Sequence, residues 1–587
     1  MACVHRCDKV LAYTFCPDEC VSCCSLEKGE EMAYRSSLAE HLDPAAARKE
    51  RGAFFTPPQI ASFLTSETIL SRDDRVLEPS CGEAEFVLAA CGRLRALGHE
   101  SGQFNKQVFA YELHEASARA ATARLERAGF SCVCETGDFL AKEATASFDA
   151  VVGNPPYVRF QGVSAKDRLR QRELAQRMGV DLSALSSMWA PFILHACEFL
   201  LPGGRLGLVL PAELLTVNYA APIRSFLLKS FARVSLYTFD VNVFPEVQEE
   251  VVLLVAKGYL MDPAEHLEWF QCESLRDLGV KTSLRFTPKE VGARWSEGLA
   301  SASSRDVLDS LASQGSLSEL RCWGSLTLGA VTGANAYFSL SEESAAQFGL
   351  VQGRDVIPLC PAGSRHLRRR DLDEGAFRSL SAKGAPTLLF APSEELSPEA
   401  LAYISMGEKM QIDKRYKCRK RSPWWRVPLP AVPDAFITYM NSFGPNICAN
   451  SVSVPHLNSC HGIRFQDGLK DLGTSSLPIA AFNSATLLSA ELVGRSYGGG
   501  IQKLEPREAA KVMTPSPQIV ESIRCQLESM RASFDDYLES GDFETAVSAV
   551  DYVVLAQGLG MSEEQIQLVQ EEFRRVRERR KNRSRGR

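Results

Sequence analysis

The sequence has no long hydrophobic run. Its longest clean apolar stretches, such as residues 251–256, have the length of a buried strand, whereas a membrane-spanning helix needs roughly 18 apolar residues or more. The first residues include Cys, His, Asp and Pro, where a secretory signal would carry an apolar core. These absences predict a soluble, cytoplasmic protein with no membrane partner.

The chain also lacks a charge excess that would indicate a nucleic-acid binder, because 66 Lys and Arg against 72 Asp and Glu give a net charge of −6. Its basic residues are nevertheless concentrated in two places, residues 414–426 (KRYKCRKRSPWWR) and the C-terminus from Arg574. Local positive charge can hold a phosphate backbone. The C-terminal run fits a solvated helix end equally well. The internal run favours nucleic acid, because its cations alternate with Tyr416, Trp424 and Trp425.

Cysteine is unevenly distributed, and six of the 18 fall within the first 24 residues: Cys3, Cys7, Cys16, Cys20, Cys23 and Cys24. The spacing lacks the two tight pairs and defined spacer of a structural zinc site. A disordered extension, or a true start at Met32, explains the segment as well, so we predict no metal. The remaining cysteines are expected to be buried, inert thiols.

Alternating strands and helices dominate residues 74–258. RVLEPSCG, QVFAYELH, FDAVVGNPP and RLGLVLPAE are short β-rich runs that end in polar or glycine-containing turns, and helical patterns separate them. RVSLYTFD and VVLLVAKG follow with no helix between them, which predicts an antiparallel hairpin at one sheet edge. The pattern predicts a doubly wound α/β sheet with its ligands at the carboxyl ends of the strands. Beyond residue 262 the sequence pattern predicts a mixture of short strands and helices, and from residue 516 it predicts helices.

The tetrapeptide Asn154-Pro155-Pro156-Tyr157 follows the strand FDAVVG. A planar exocyclic amine is a weak nucleophile because its lone pair is delocalised into the ring. An Asn oxygen and a carbonyl on a stiff Pro-Pro turn could accept its two hydrogens and favour a nucleophilic nitrogen. A neighbouring aromatic could stack on the ring, as a flipped base requires. The alternative is a simple turn that ends a strand.

Other strand ends carry residues suited to a cofactor. LEPSCGEAEF runs from a strand through a turn of small residues into a helix, so a ligand could approach the backbone there. Glu112 ends the strand VFAYE, where a carboxylate could bind ribose hydroxyls. Asp138 and Phe139 end the next strand, where they could accept from an adenine amine and pack against its face. GAFFTPP, residues 52–58, precedes all of these.

In this order the motifs resemble those of the γ-class adenine-N6 DNA methyltransferases of restriction-modification systems, which use S-adenosylmethionine. The resemblance covers about residues 48–258 and implies a Rossmann-like methyltransferase sheet. It implies catalytic roles for Asn154, Pro155, Pro156, Tyr157 and a second stacking aromatic, Phe244, for which core packing is the alternative. It implies cofactor contacts by Thr56, Glu78, Pro79, Ser80, Gly82, Glu112, Asp138 and Phe139. Ala84 stands where the family often has a second glycine, and it fits if its φ is negative.

The later half of the chain resembles target-recognition regions of restriction-modification methyltransferases more loosely, in YKCR, PWW, NSCHG and SYGGGIQKLE. This resemblance implies double-stranded DNA as partner. The candidate DNA-binding residues are Lys417, Arg419, Arg421, Trp424, Trp425 and His461, with structural roles for His461 and the Trp pair as alternatives. The expected division is a Cys-rich extension (1–47), a catalytic domain (48–260), a mixed α+β target-recognition region (261–515) and a helical, basic end (516–587).

The resulting hypothesis is methyl transfer from S-adenosylmethionine to N6 of an adenine flipped out of a specific duplex site, which protects DNA from a separate cognate restriction endonuclease. A protein-glutamine N5-methyltransferase is a second possibility, since NPPY also serves an amide nitrogen, but those chains are short. A catalytically silent DNA-binding defence protein is a third. A fused nuclease is not expected, because only about 50 residues precede the cofactor motif.

Overall fold

The computed structural model describes residues 56–99, 104–132, 134–158, 164–183, 186–244, 250–279, 283–290, 292–497 and 499–585. The six clustered cysteines and the start of GAFFTPP lie outside these residues. The prediction about zinc therefore has no structural test.

A nine-stranded sheet forms the first part of the described chain, with strand order β3-β2-β1-β4-β5-β7-β6-β8-β9. Its strands are β1 (Val76–Glu78), β2 (Val108–Glu112), β3 (Cys134–Thr136), β4 (Phe148–Gly153), β5 (Leu200–Pro211), β6 (Phe231–Phe239), β7 (Val251–Tyr259), β8 (Leu267–Cys272) and β9 (Leu284–Phe286). Its helices are α1 (Pro58–Thr68), α2 (Glu85–Ala96), α3 (Glu115–Arg127), α4 (Ala165–Arg177), α5 (Trp189–Glu198), α6 (Glu213–Thr216) and α7 (Ala221–Ser230).

Strands β1 to β5 pair in parallel, and β7 runs antiparallel between β5 and β6. Helices cover both faces of this sheet, so its central strands are apolar along their length. In β7, for example, the first six residues are all buried. Strand order reverses between β1 and β4. At such a reversal the adjoining loops diverge and leave a crevice at the carboxyl ends of the strands. The predicted doubly wound α/β fold is confirmed.

The predicted hairpin exists, since β6 and β7 pair antiparallel, but its position at a sheet edge is wrong. Strand β8 pairs in parallel with β6, and β9 adds a further antiparallel strand. The sheet therefore extends through Phe286, so a domain boundary at residue 260 is placed too early. Strand β8 has the sequence LEWFQC, and its Leu267, Trp269, Phe270 and Cys272 are buried. This strand is short and follows a polar segment, so the sequence pattern did not predict it.

The second part contains four smaller sheets, with strand orders β10-β21, β11-β18-β15-β17, β12-β14-β13 and β16-β20-β19. Their strands are β10 (Leu317–Glu319), β11 (Gly324–Leu328), β12 (Ser339–Leu340), β13 (Val356–Pro358), β14 (Leu388–Phe390), β15 (Ala435–Thr438), β16 (Met440–Asn441), β17 (Ile447–Ala449), β18 (Cys460–Phe465), β19 (Arg495–Tyr497), β20 (Ile501–Lys503) and β21 (Met513–Pro515).

The helices of this part lie around and after those strands. They are α8 (Ala302–Ser313), α9 (Asn335–Phe338), α10 (Glu342–Gln347), α11 (Glu374–Ala382), α12 (Pro398–Lys409), α13 (Lys470–Ser475), α14 (Leu477–Ala480), α15 (Ser484–Val493), α16 (Pro506–Ala509), α17 (Pro517–Ser522), α18 (Arg524–Ser529), α19 (Arg531–Ser540), α20 (Phe543–Asp551) and α21 (Glu563–Arg585). The mixed α+β architecture expected for residues 261–515 and the helical end are both observed.

The C-terminal helices share a hydrophobic core with the preceding region. Buried residues of this core run from Ala300 through Phe482 to Val576, so residues 516–587 are no separate layer. The basic run of α21 is built into this core as well: Arg577, Arg579 and Arg580 are at most 5% exposed. Both interpretations of the run, as a phosphate-binding arm and as a solvated helix end, are wrong for these three residues.

Within the described residues, no helix is long and apolar enough to cross a membrane. The described cysteines number twelve, all as free thiols, and ten of them are buried. Nor do the described residues contain a cluster of three or more His, Cys, Asp or Glu side chains that could hold a metal ion.

Candidate active site

The sheet brings four sequence motifs to one edge. Glu78, Glu112 and Gly153 are the last residues of β1, β2 and β4, so their side chains or the residues that follow them meet at the carboxyl ends of three adjacent strands. Thr56 joins them from the segment before α1, through a contact with Asn154. Motifs that are spread over about 100 residues of the sequence therefore form a single site.

Glu78 is a buried carboxylate, 1% exposed. Burial raises its pKa to about 8, with a smaller contribution from Glu112, while the hydrogen bond from the Ser80 N–H opposes the rise. A Cβ added at Gly153 would lie 2.6 Å from Glu78 Oε1. Gly153 is thus required by the close approach of the carboxylate, a reason that the sequence does not reveal.

The turn after β1 has two residues with positive φ. Gly82 has φ +50°, and Ala84, immediately before α2, has φ +65°. The expectation that Ala84 keeps a negative φ is wrong: the backbone adopts the left-handed conformation that favours glycine even though alanine occupies the position. The alanine side chain is fully buried, so packing holds it there.

Glu112 ties this turn to the end of β2. Its carboxylate accepts hydrogen bonds from the N–H groups of Gly82 and His114, both at 3.0 Å. A Cβ added at Gly82 would meet nothing within 4 Å. The turn therefore presents an open backbone face beside a fixed carboxylate, an arrangement suited to a small ligand with hydroxyl groups.

Asn154 is oriented by Thr56. Its Nδ2 donates to Thr56 Oγ1 at 3.3 Å, and its backbone carbonyl accepts from Ser80 Oγ at 3.3 Å. The other end of the amide, Oδ1, is buried and has no hydrogen-bond partner among the described residues. Buried acceptors are rarely left unpaired in proteins. Thr56 thus fixes the orientation of the amide, and Asn154 Oδ1 is available to accept a hydrogen bond from a ligand in the site.

Asp138 and Phe139 differ from expectation. Asp138 Oδ1 accepts from the Leu140 N–H, and Oδ2 accepts from Arg170 Nη1 at 2.9 Å. Phe139 is 3% exposed and packs against Phe192, His195 and Phe199. Its ring is part of the core, so the prediction that it packs against an adenine face is wrong in this arrangement. Arg170, on α4 after NPPY, was not predicted, and no sequence signal marks it among the basic residues of that helix.

The two aromatic residues of the predicted base clamp are both buried. Tyr157 is 9% exposed and Phe244 is 2% exposed, with the Phe244 N–H held by Asn242 Oδ1 at 2.9 Å. Neither ring offers an open face to a base in this arrangement. The base clamp therefore stays a prediction. In this arrangement the Phe244 side chain is packed in the core.

The basic and aromatic segment at residues 414–426 divides into an exposed and a packed half. Lys417 and Arg419 are exposed, and their charged groups lie 5.8 and 5.6 Å from the ring centroid of Tyr416, which is 62% exposed. Arg421 instead donates to the Val331 carbonyl. Trp424 and Trp425 pack partly buried against the cluster that contains Tyr337. The exposed half retains the character of a phosphate-binding surface.

His461 lies outside that surface. It is 0% exposed, and its Nε2 is 2.7 Å from the Leu504 carbonyl oxygen. Burial lowers its pKa. The prediction of DNA contact by this side chain is therefore wrong, and its alternative, a structural histidine, is confirmed.

Comparison with known proteins gives two family models on this chain. Residues 101–244 match the Eco57I restriction-modification methylase, and residues 292–555 match the C-terminal domain of the type II methyltransferase M.Eco57I. Among curated relatives, the type II methyltransferase M.AccI of Acinetobacter calcoaceticus is 21% identical over 504 residues, which cover 82% of this chain and 88% of the relative. M.XamI of Xanthomonas campestris pv. amaranthicola is 24% identical over 494 residues, covering 81% and 87%.

A solved structure of the type IIL restriction-modification enzyme MmeI in complex with DNA is also similar. It aligns with a TM-score of 0.55 at 12% identity, over 88% of this chain and 74% of that one. At this level of identity the likeness concerns the fold. It extends through both parts of the described chain.

Proposed function

Because residues 101–244 and 292–555 match the Eco57I restriction-modification methylase and the C-terminal domain of M.Eco57I, we propose that the chain is a site-specific DNA methyltransferase that transfers a methyl group from S-adenosylmethionine to N6 of an adenine flipped out of duplex DNA. The observation that carries the proposal is the Asn154 amide, whose Nδ2 is fixed by Thr56 while its buried Oδ1 has no partner among the described residues. An adenine amine supplies the donor that this acceptor needs.

The residues at the strand ends fit the cofactor by their chemistry. The Glu78 carboxylate would face its amino group, the open backbone at Gly82 would accommodate its methionine portion, and Glu112 would accept from its ribose hydroxyls. Pro79 and Ser80 would complete the turn. When bound, S-adenosylmethionine supplies the electrophilic methyl group. Asp138 would bind the adenine amine only by sharing the oxygen that Arg170 now contacts.

The catalytic contribution of the protein is positioning and hydrogen-bond polarisation. Asn154 Oδ1 would accept one hydrogen of the target amine and the Pro155 carbonyl the other, with Pro156 keeping the turn rigid. Two fixed acceptors favour the nitrogen geometry in which the lone pair is available for in-line attack. Tyr157 and Phe244 would stack on the two faces of the base after opening of the packing that now covers them.

DNA would be held through the exposed half of the basic segment. Lys417 and Arg419 would contact phosphates beside the Tyr416 ring. Arg421, Trp424 and Trp425 would act mainly by supporting that surface, because each is already engaged with the protein. A separate cognate endonuclease is the partner that such a modification enzyme would protect against.

The test uses a host that lacks its own adenine methylases and expresses either the wild type or Asn154→Ala. Plasmid DNA is digested to nucleosides, and N6-methyldeoxyadenosine is quantified by mass spectrometry. We expect signal from the wild type alone, with DNA binding by the variant unchanged within about twofold. Signal from Asn154→Ala would disprove the mechanism. Absence of signal from soluble wild type would favour a protein substrate or a silent DNA-binding protein.

A further inference from the structure

A cavity of about 100 Å³ lies between the two parts of the described chain. Its walls come from the carboxyl end of β5, the start of β7, the β19–β20 hairpin and helix α21. None of the residues that we assign to the cofactor or to the target amine lines it. It is therefore a second, partly open cavity, lined by other residues than the site described above.

Gln502, on β20, is the polar residue that distinguishes this cavity. It is 1% exposed, and neither its Oε1 nor its Nε2 has a hydrogen-bond partner among the described residues. Its backbone lies in register with Ser496 on one side and Asn441 on the other, so two neighbouring strands fix the position of the side chain. A buried amide with both ends unpaired is rare in proteins. A partner that offers a donor and an acceptor side by side would satisfy both ends at once.

The basic groups of the cavity wall are already paired, which disfavours an anionic ligand. Each basic side chain of the wall has a carboxylate within 3.0 Å: Arg495 with Glu508, Lys503 with Glu505, Arg579 with Asp240 and Arg580 with Glu491. A phosphate would find no uncompensated cation here. The carboxylates of Glu213 and Glu250 also line the cavity, but they belong to no cluster among the described residues that could hold a metal ion. The wall thus disfavours a phosphate and a metal ion and suits a neutral ring.

Apolar side chains complete the wall, and an aromatic one marks its rim. Leu215, Leu299 and Val576 line the cavity, and apolar contacts of this kind cover the faces of a planar ring. Tyr497, which directly follows the residue paired with Gln502 on β19, also lines the cavity and is 42% exposed. Aromatic residues at such positions stack on unpaired bases.

We propose that this cavity receives a second nucleobase, distinct from the methylated one, and that Gln502 determines its identity as adenine. A primary amide pairs in a bidentate manner with adenine, accepting from N6 and donating to N7. The base comes from the DNA strand, as an unstacked member of the recognition sequence. The inference rests on the proposed function, since it takes DNA as the substrate.

The first experiment compares the methylated sequence motifs of the wild type, Gln502→Leu and Gln567→Leu on plasmid libraries by methylation-sensitive sequencing. Gln567 is an exposed residue of α21 whose Nε2 donates to Glu571 on the same helix, and it serves as the matched control. We expect Gln502→Leu to relax one adenine position of the motif by roughly 5- to 150-fold, whereas Gln567→Leu keeps the wild-type motif. An unchanged motif in a folded Gln502→Leu would overturn the proposal.

The second experiment needs no variant that could misfold. Once the motif is mapped, each of its non-target adenines is replaced in turn by 7-deaza-adenine, which lacks the N7 acceptor. Wild-type affinity should fall about tenfold for one replacement, and Gln502→Leu should not distinguish that DNA from the natural site. Equal wild-type affinity for every replacement contradicts the proposal. Competition by free adenosine, with DNA absent from the loading step, would assign the cavity to a free nucleoside instead.

Failure of this inference can be told apart from failure of the proposed function. A wild type that leaves no N6-methyldeoxyadenosine in DNA contradicts the function. A wild type that methylates a defined motif, read identically by Gln502→Leu, contradicts only the role of the cavity.

Discussion

Arg580 donates to both carboxylate oxygens of Glu491, at 2.9 and 2.7 Å, in a fully buried ion pair between α21 and α15. The same guanidinium donates to the backbone carbonyls of Asn441, the last residue of β16, of Phe443 just after it, and of Gly500. One side chain near the C-terminus thus joins a helix and two connections of the recognition region.

Removing one partner of this pair should destabilise the protein strongly, because the other charge would be left buried and unpaired. We expect Arg580→Ala to lower the free energy of unfolding by about 3–5 kcal/mol. Arg574→Ala, an exposed arginine of the same helix, should change it by less than about 0.5 kcal/mol. Urea unfolding followed by circular dichroism measures both. Equal effects of the two variants would contradict a structural role of Arg580.

The left-handed conformation of Ala84 predicts a stabilising substitution. Ala84→Gly removes the steric strain of a Cβ at φ +65°, although it loosens the unfolded chain, and the net gain should be roughly 0.5–1 kcal/mol. Ala89→Gly, inside α2, should instead cost about 1 kcal/mol. Thermal unfolding of the two variants should shift in opposite directions. A shift of the same sign would show that the fully buried methyl of Ala84 contributes more than its strain costs.

Burial of Glu78 predicts a pH dependence of stability. Its pKa is 4.5 ordinarily and about 8 in the fold, so the folded state holds the proton more tightly than the unfolded state. The stabilisation is complete below about pH 4.5 and is lost as the pH rises to about 8 and above. Relative to Glu78→Gln, the wild type should lose on the order of 4 kcal/mol between about pH 5 and pH 8. Urea unfolding of both proteins across this range provides the measurement, and parallel profiles would refute the raised pKa.

Thr56 should matter through the orientation of the Asn154 amide. Thr56→Val keeps the shape but removes the hydroxyl that accepts from Nδ2, so the amide can rotate and Oδ1 loses its fixed direction. We expect kcat to fall by about 10- to 100-fold, with little change in the Kd for DNA. Thr56→Ser, which keeps the hydroxyl, should retain most of the activity. Equal losses in the two variants would point to packing and not to the hydrogen bond.

The exposed basic surface predicts a change in the salt dependence of DNA binding. Each phosphate contact contributes about −0.9 to the slope of log Kobs against log salt concentration, so the double variant Lys417→Ala, Arg419→Ala should make the slope less negative by about 1.8. Lys229→Ala is the control: this exposed lysine precedes β6, at the sheet end opposite the site. Fluorescence anisotropy over a range of salt concentrations gives the slopes. A slope that moves only in the control would place the DNA elsewhere.

The local sequence pattern was sufficient to predict the sheet and the motifs at its edge. Strands such as VFAYE and FDAVVG end in residues that could be assigned to a ligand, because the carboxyl ends of parallel strands meet at one edge of a sheet. The predictions failed where a side chain depends on distant neighbours. Phe139 is packed by α5, and the methyl group of Ala84 is held in a conformation that glycine would favour.

The sequence by itself determined the doubly wound sheet, the order of its motifs and the residues that stand at its strand ends, because these depend on hydrophobic periodicity and turn chemistry within short segments. Only the tertiary structure decided which charged and polar groups are already paired. It buried His461 and three arginines of the C-terminal run, exposed Lys417 and Arg419, and left Asn154 Oδ1 and the Gln502 amide without partners among the described residues. Pairing depends on segments hundreds of residues apart, and no local pattern contains that information.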